Sequence, residues 1–218
     1  MSVQGFTSYP RHFQRSLSGR LSSLHIFGDD NLSGSTMDPV LEIPLLEAKL
    51  VAAKEADIVD EEFTQELQQK IGDAKTAAEF GVRRAQLQFY EAFASGDYEG
   101  MASLWSKKSP VSCVHPCQRR LEGYDAVMQS WKEILAVSGL AAVTSFEGDE
   151  DEDDEFSFRI EPEKVQMEIC GSTAIVNCVE KTGTGDAPPL EAVNIYKRED
   201  GVWKMTMHMA APVISGAM

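Results

Sequence analysis

The sequence is poor in cysteine and has no long apolar run, and both shortages narrow the class of protein. Its four cysteines are Cys113, Cys117, Cys170 and Cys178. Their spacing fits neither a zinc site nor the disulfide framework of a small secreted domain. We therefore expect free thiols in a reducing compartment, and we predict no metal and no cofactor. No apolar run reaches the roughly 20 residues that a membrane-spanning helix needs.

Basic residues are scarce as well. The chain has 20 lysines and arginines against 35 acidic residues, for a net charge of −15 at pH 7. Nucleic acids and anionic membranes bind basic surfaces, so we expect neither as a direct partner. Eight of the nine residues from 147 to 155 are acidic. Repulsion between these like charges predicts a solvated acidic loop. The run lacks the turn glycine and the ligand spacing of a calcium-binding loop, so we do not predict a calcium site.

The first 28 residues contain no acidic residue at all. Their arginines give this segment a charge of +3, so the rest of the chain carries −18 (−15 minus +3). Apolar residues recur between the arginines at helical spacing: Phe13, Leu17, Leu21 and Leu24. This pattern is typical of a chloroplast or mitochondrial transit peptide. The alternative is a disordered tail on a cytoplasmic protein.

Residues 29–43 are mostly small and polar and predict a linker. Residues 44–77 predict a helical extension, in which an acidic stretch favours a break or cap near Asp60. Two short apolar stripes occur on it: Leu45, Leu46 and Leu50, then Phe63, Leu67 and Ile71. We expect these helices to pack on the following domain. The alternative is an arm, as in a coiled coil, that binds a protein partner.

The remainder, residues 78–213, places helices first and strands last, which predicts the α+β class. Helical spacing covers residues 76–94 and 97–105. An apolar strand at 111–114 should end at His115-Pro116, since proline lacks an amide donor. An amphipathic helix follows Gly123. Alternating patterns from residue 156 to residue 209 predict consecutive antiparallel strands joined by hairpins.

The order of these motifs resembles the SnoaL-like branch of the nuclear-transport-factor-2-like superfamily. The central motif is a strand, His115-Pro116, a loop, Gly123, Val127 and Trp131. Flanking matches are residues 89–93, 95–97 and 101–105 upstream and 201–205 with His208 downstream. The resemblance implies a curved sheet wrapped around helices as a cone, with an apolar interior that opens at one end. It also implies a homodimer formed through the outer face of the sheet.

The resemblance also implies a set of residues lining the interior. They are Tyr90, Trp105, His115, Tyr124, Trp131, Asn177, Asn194 and His208. His115 is the candidate general acid or base, because histidine titrates near neutral pH. The alternative is a structural histidine that bonds a backbone carbonyl. The sequence offers no evident carboxylate to orient it.

Strict alternation along the last strand would place its residues on two faces. Trp203, Met205, Met207 and Met209 would form the wall of an adaptable apolar cavity. Val202, Lys204, Thr206 and His208 would then lie on the exposed or dimer-facing side. Relatives often have adjacent histidines in this strand, where this chain has a single histidine between two methionines, and glycine at the position of Cys117. Because of these two differences, the resemblance does not imply that this chain is catalytic.

These observations favour a homodimeric, non-enzymatic module that binds a small hydrophobic ligand or a protein. The alternative is an isomerase, cyclase or dehydratase that uses His115 on a small hydrophobic substrate.

Overall fold

The computed structural model of the chain describes residues 38–56, 59–144, 160–182 and 188–213, without the side chains of 137–144 and 182. The predicted leader at 1–28 and the acidic loop at 147–155 lie outside these ranges. The helices are α1 (Pro39–Lys54), α2 (Glu61–Ser95), α3 (Tyr98–Leu104) and α4 (Tyr124–Thr144). The strands are β1 (Ser112–Val114), β2 (Leu121–Glu122), β3 (Ile160–Cys170), β4 (Thr173–Thr182), β5 (Leu190–Glu199) and β6 (Val202–Pro212). None of the described helices is long and apolar enough to cross a bilayer.

The strands form one mixed sheet in the order β2-β1-β6-β5-β4-β3. The last four pair as consecutive antiparallel neighbours, as predicted, and β1 adds to β6 in parallel. The turn between β5 and β6 is Asp200-Gly201, and both residues have a positive φ, of 49° and 75°. Such a turn matches the right-handed twist of the flanking strands. The predicted α+β class is confirmed.

The second part of the predicted extension and the first domain helix form one continuous helix. The chain therefore has no structural break at the boundary predicted between residues 77 and 78. Helix α2 has 35 residues and begins at the predicted cap, where the side chain of Asp60 accepts from the amide of Phe63 at 3.0 Å. Its apolar stripe continues at spacings of three and four residues through Leu67, Ile71, Ala74, Ala78 and Val82. Because the stripe is unbroken, one face stays buried along the whole helix.

The predicted linker also ends earlier than residue 43, because α1 already begins at Pro39. Asp38 caps this helix, its side chain accepting from the amide of Val40 at 3.1 Å. Proline suits the first helical position, where its missing amide proton costs nothing. The carboxylate of Asp38 also pairs with Arg198 on β5 at 2.7 Å. Helix α1 therefore packs on the domain that follows.

The core lies between the helices and the inner face of the sheet. Its largest fully buried apolar side chains are Trp105, Tyr196, Phe89, Met101 and Met205. Trp131 on α4 is 2% exposed and packs edge-on against Phe89, with ring centroids 5.5 Å apart. The apolar face predicted for the helix after Gly123 is thus buried.

A bulge in β6 overturns the predicted faces of this strand. Tyr196 pairs with Met205 but Ile195 pairs with Met207, so Thr206 has no partner in the register. An extra residue reverses which side chains point inward. Beyond it, His208 is 3% exposed and points into the core. The placement of His208 on the exposed face was therefore wrong.

The same bulge moves two methionines outward. Met207 and Met209 are half-buried on the outer face of the sheet, whereas Met205, which precedes the bulge, is fully buried inside. Met207 and Met209 therefore do not line the interior, contrary to the prediction from strict alternation.

Candidate functional site

Polar side chains from one helix and three strands meet inside the otherwise apolar cone. We call this group the interior network. Helix α2 supplies Gln86 and Tyr90, and the inward faces of β4, β5 and β6 supply the rest, which are Cys178, Glu180, Asn194, Tyr196 and His208. Side chains alternate along β4 and β5, so every second residue reaches the same interior space.

One end of the network is a buried carboxyl group. Glu180 is 1% exposed, and the Tyr90 hydroxyl donates to its Oε1 at 2.9 Å. Burial raises the pKa of Glu180 to about 7, although the bond from Tyr90 works in the opposite direction. The thiol of Cys178 lies 3.3 Å from the same tyrosine oxygen, and burial raises its pKa to about 11. The interior thus holds a carboxyl group that titrates near neutral pH.

Gln86 links that end to the histidine end. Its Nε2 donates to the Tyr90 hydroxyl at 2.9 Å, and its Oε1 accepts from Tyr196 at 2.6 Å and from Asn194 at 3.2 Å. Since the amide of Asn194 donates to Gln86, its oxygen is left to accept from Nδ1 of His208 at 2.7 Å. Burial, and then the nearby His115, lower the pKa of His208 to about 3, so its ring is neutral.

His115 stands just after β1, where the strand ends as predicted. Its Nε2 lies 2.9 Å from the Ser130 hydroxyl, which itself donates to the carbonyl of Val127 at 2.7 Å. The serine oxygen therefore accepts from His115, and Nδ1 of the ring keeps its lone pair. Burial lowers the pKa of His115. Within the described ranges no carboxylate bonds this ring; its partners are the Ser130 hydroxyl and, at 3.7–3.8 Å, the Cys113 thiol, rather than the backbone carbonyl of the alternative prediction.

Trp131 lies between the two histidines. Its ring centroid is 4.7 Å from that of His115 and 5.8 Å from that of His208. Its indole nitrogen is buried with no hydrogen-bond partner among the described residues. The structure thus brings together Tyr90, His115, Trp131, Asn194 and His208 of the predicted set.

Three other predicted residues lie elsewhere in the core. Trp105 is 1% exposed and its backbone forms an isolated bridge to Met205, which is fully buried. Tyr124 is half-buried at the start of α4, and its hydroxyl donates to the carbonyl of Ala102 at 3.1 Å. None of these three bonds the interior network.

Asn177 was predicted to line the interior, but it lies on the outer face of the sheet. Ala174, Val176 and Cys178 point inward on β4, so Asn177 must point outward, and its side chain is exposed. A residue on this face cannot line the interior of the cone.

Sequence reasoning missed Glu180, Gln86, Cys178 and Tyr196. A signal for Glu180 did exist, because it continues the inward series of Ala174, Val176 and Cys178 at a spacing of two. Gln86 likewise lies one helical turn from both Val82 and Tyr90 on the buried face of α2. A polar residue inside an apolar period is the pattern that indicates an interior polar group.

Large side chains of the described residues occupy the interior. Phe89, Trp131 and Met205 are each at most 2% exposed there. A cleft of about 200 Å³ lies instead at the surface between α2 and α3, and none of the predicted site residues lines it. Among the described residues no group of three or more His, Cys, Asp or Glu is arranged to hold a metal.

The order of the helices and of the strands in the mixed sheet is that of a nuclear-transport-factor-2-like fold. The model of the SnoaL-like domain family matches residues 82–215. The chain therefore belongs to the SnoaL-like domain family. No curated protein matches the sequence significantly.

Several solved structures are similar. A candidate dehydratase of the NTF2-like family from Streptomyces avermitilis is 29% identical, with a TM-score of 0.48 over 62% of this chain and 95% of that one. An NTF2-like protein of unknown function from Pseudomonas putida is 16% identical, with a TM-score of 0.50 over 64% and 90%. A candidate calcium/calmodulin-dependent protein kinase type II association domain from Thiobacillus denitrificans is 25% identical, with a TM-score of 0.46 over 60% and 93%.

Proposed function

We propose that this chain is a non-catalytic binding module whose cone is a scaffold and whose outer sheet face pairs with a second copy. The observation that carries the proposal is the contrast between the two faces of the sheet. The described side chains on the inner face are buried, while the outer face presents apolar side chains that remain partly exposed in the protomer.

The outer apolar patch consists of side chains in neighbouring register positions. Ile175 pairs with Ile195, which pairs with Met207 on the next strand. Beside this row, Val193 pairs with Met209, which pairs with Val114 on β1. Ile175 is 37% exposed, and the other five are half-buried. A contiguous apolar patch across several strands is typical of a protein–protein contact.

A lysine in the centre of the patch tests the proposal. Met207→Lys should break the contact between sheet faces and lower the molar mass below that of the wild type, because pairing would bury two ammonium groups without partners. The matched control is Val202→Lys. It also introduces a lysine on β6, but at a residue that is 49% exposed and outside the patch. Light scattering after size exclusion gives the molar mass. A monomeric wild type, or equal masses for Met207→Lys and the wild type, would refute the proposal.

A second function is favoured by Glu180. A carboxyl group with a pKa near 7 inside an apolar cone is suited to general acid or base catalysis. Glu180, and not His115, would then be the proton carrier, with Tyr90 as its hydrogen-bonding partner at 2.9 Å. The substrate would be small and hydrophobic, and the side chains that fill the interior would have to move to admit it.

Native mass spectrometry of protein purified from its own cells tests this alternative. A small molecule retained by the wild type and lost from Glu180→Gln, but kept by His115→Ala, would support catalysis at Glu180. Loss of the small molecule from His115→Ala alone would indicate that His115, rather than Glu180, is the proton carrier. Ligand-free protein in all three samples would contradict the enzyme hypothesis.

A further inference from the structure

Helix α1 has two apolar faces, and only one of them is covered. The covered face includes Val40, which is 1% exposed and belongs to the core, and Ile43, which packs against it. The opposite face is apolar along its whole length and consists of Leu41, Pro44, Leu45, Ala48, Val51 and Ala52. Leu41, Leu45 and Val51 are 42%, 50% and 55% exposed. An exposed apolar face of this kind is typical of a protein–protein contact.

The burial of Val40 in the core and the ion pair at the start of α1 determine which face of the helix points outward. At its start Asp38 pairs with Arg198 at 2.7 Å, with both side chains mostly buried, and further along Glu47 pairs with Lys75 at 2.7 Å. Turning the open face inward would break both contacts. The open face is therefore a fixed surface of the domain.

We propose that the open face of α1 packs antiparallel against the same face of a second copy. Ala48 and Ala52 are small, so two helices can approach closely there. Glu42 and Lys49 lie on one edge of this face, two turns apart, and neither has an ion-pair partner among the described residues. In an antiparallel two-fold pair the same edges meet. Glu42 then faces Lys49 of the partner subunit, and the pairing occurs twice.

This contact uses no residue of the outer sheet patch, so it goes beyond the proposed function. A chain with two separate self-complementary surfaces assembles further than a dimer. The full-length wild type is therefore expected to exceed the mass of a dimer when both contacts are occupied.

Sedimentation equilibrium on five proteins, including one control, separates the two contacts. Leu45→Lys and Met207→Lys should each leave a dimer, and the double variant should be a monomer. If the α1 contact does not exist, Leu45→Lys keeps the wild-type mass and Met207→Lys is a monomer. If the sheet contact does not exist, the reverse holds. Phe80→Lys, which changes an α2 side chain that is 52% exposed and outside both surfaces, is the control and should keep the wild-type mass.

A charge exchange tests the antiparallel arrangement itself. Glu42→Lys and Lys49→Glu, each in the Met207→Lys background, should raise the dissociation constant several-fold, because each sets like charges together twice. The two changes combined should restore the original value. A combined variant as weak as the single ones would overturn the antiparallel pairing.

Discussion

At the scale of the residue, Glu180 is the group whose behaviour differs most from what its sequence context suggests. A glutamate near the end of a strand is usually solvated, yet this one is 1% exposed and bonded by Tyr90. Its inward direction follows from the alternation of β4. Its partner Tyr90 could not be predicted, because it lies on α2, which is distant in the sequence.

Glu180 should make the stability of the fold depend on pH. Its pKa is about 7 in the folded chain, whereas the ordinary pKa of a glutamate, expected in the unfolded chain, is 4.5. Folding therefore favours the protonated acid. The stabilisation is complete below pH 4.5 and is lost as the pH rises through about 7. Glu180→Gln stays neutral, so from pH 5 to pH 8 the wild type should lose about 2–3 kcal/mol relative to it.

Urea denaturation at several pH values, at one protein concentration, measures this difference. Taking the difference between the two proteins removes the titration of other groups, including His115 and His208. Parallel stability profiles for wild type and Glu180→Gln would show that Glu180 has an ordinary pKa in the folded chain.

At the scale of the element, most of the helices and strands follow from local pattern, and the exceptions have physical causes. The apolar period predicted the helical conformation of α2, although as two segments, and the proline after β1 predicted the end of that strand. The bulge in β6 was not predictable, because Thr206 looks like any other strand residue and only pairing with β5 leaves it without a partner. That one residue decided the faces of His208 and Met207.

Two glycines of α2 offer a matched test of how closely this helix packs on the sheet. A Cβ at Gly81 would lie 2.7 Å from Cδ1 of Trp203, whereas a Cβ at Gly72 meets nothing within 4 Å. Trp203 is 2% exposed and lies under the guanidinium of Arg198, so it has little room to shift. Gly81→Ala should destabilise the fold by about 1–3 kcal/mol.

Gly72→Ala is the control, and it should stabilise the fold by about 0.5–1 kcal/mol through helix propensity alone. The free energies of unfolding in urea give both values. Equal stabilisation by the two alanines would mean that α2 and β6 are not in close contact at Gly81.

At the scale of the whole molecule, the sequence was sufficient to predict the α+β cone and its family, because these depend on the order of motifs rather than on any one contact. The burial of Phe89, Trp131 and Met205 in the interior was not predictable, since it depends on how side chains from different elements pack together. Apolar side chains that stay partly exposed on the outer surfaces are the arrangement expected of an assembly module.

The most direct test of this account is the rate at which peroxide oxidises single methionines as the protein is diluted. Met207 and Met209 lie in the outer patch, and Met101 and Met205 are fully buried and serve as internal controls. If the sheet face is a contact between copies, Met207 and Met209 should be protected at high concentration and oxidise faster on dilution, while Met101 and Met205 stay slow. Rates for Met207 and Met209 that are fast and independent of concentration would contradict the account.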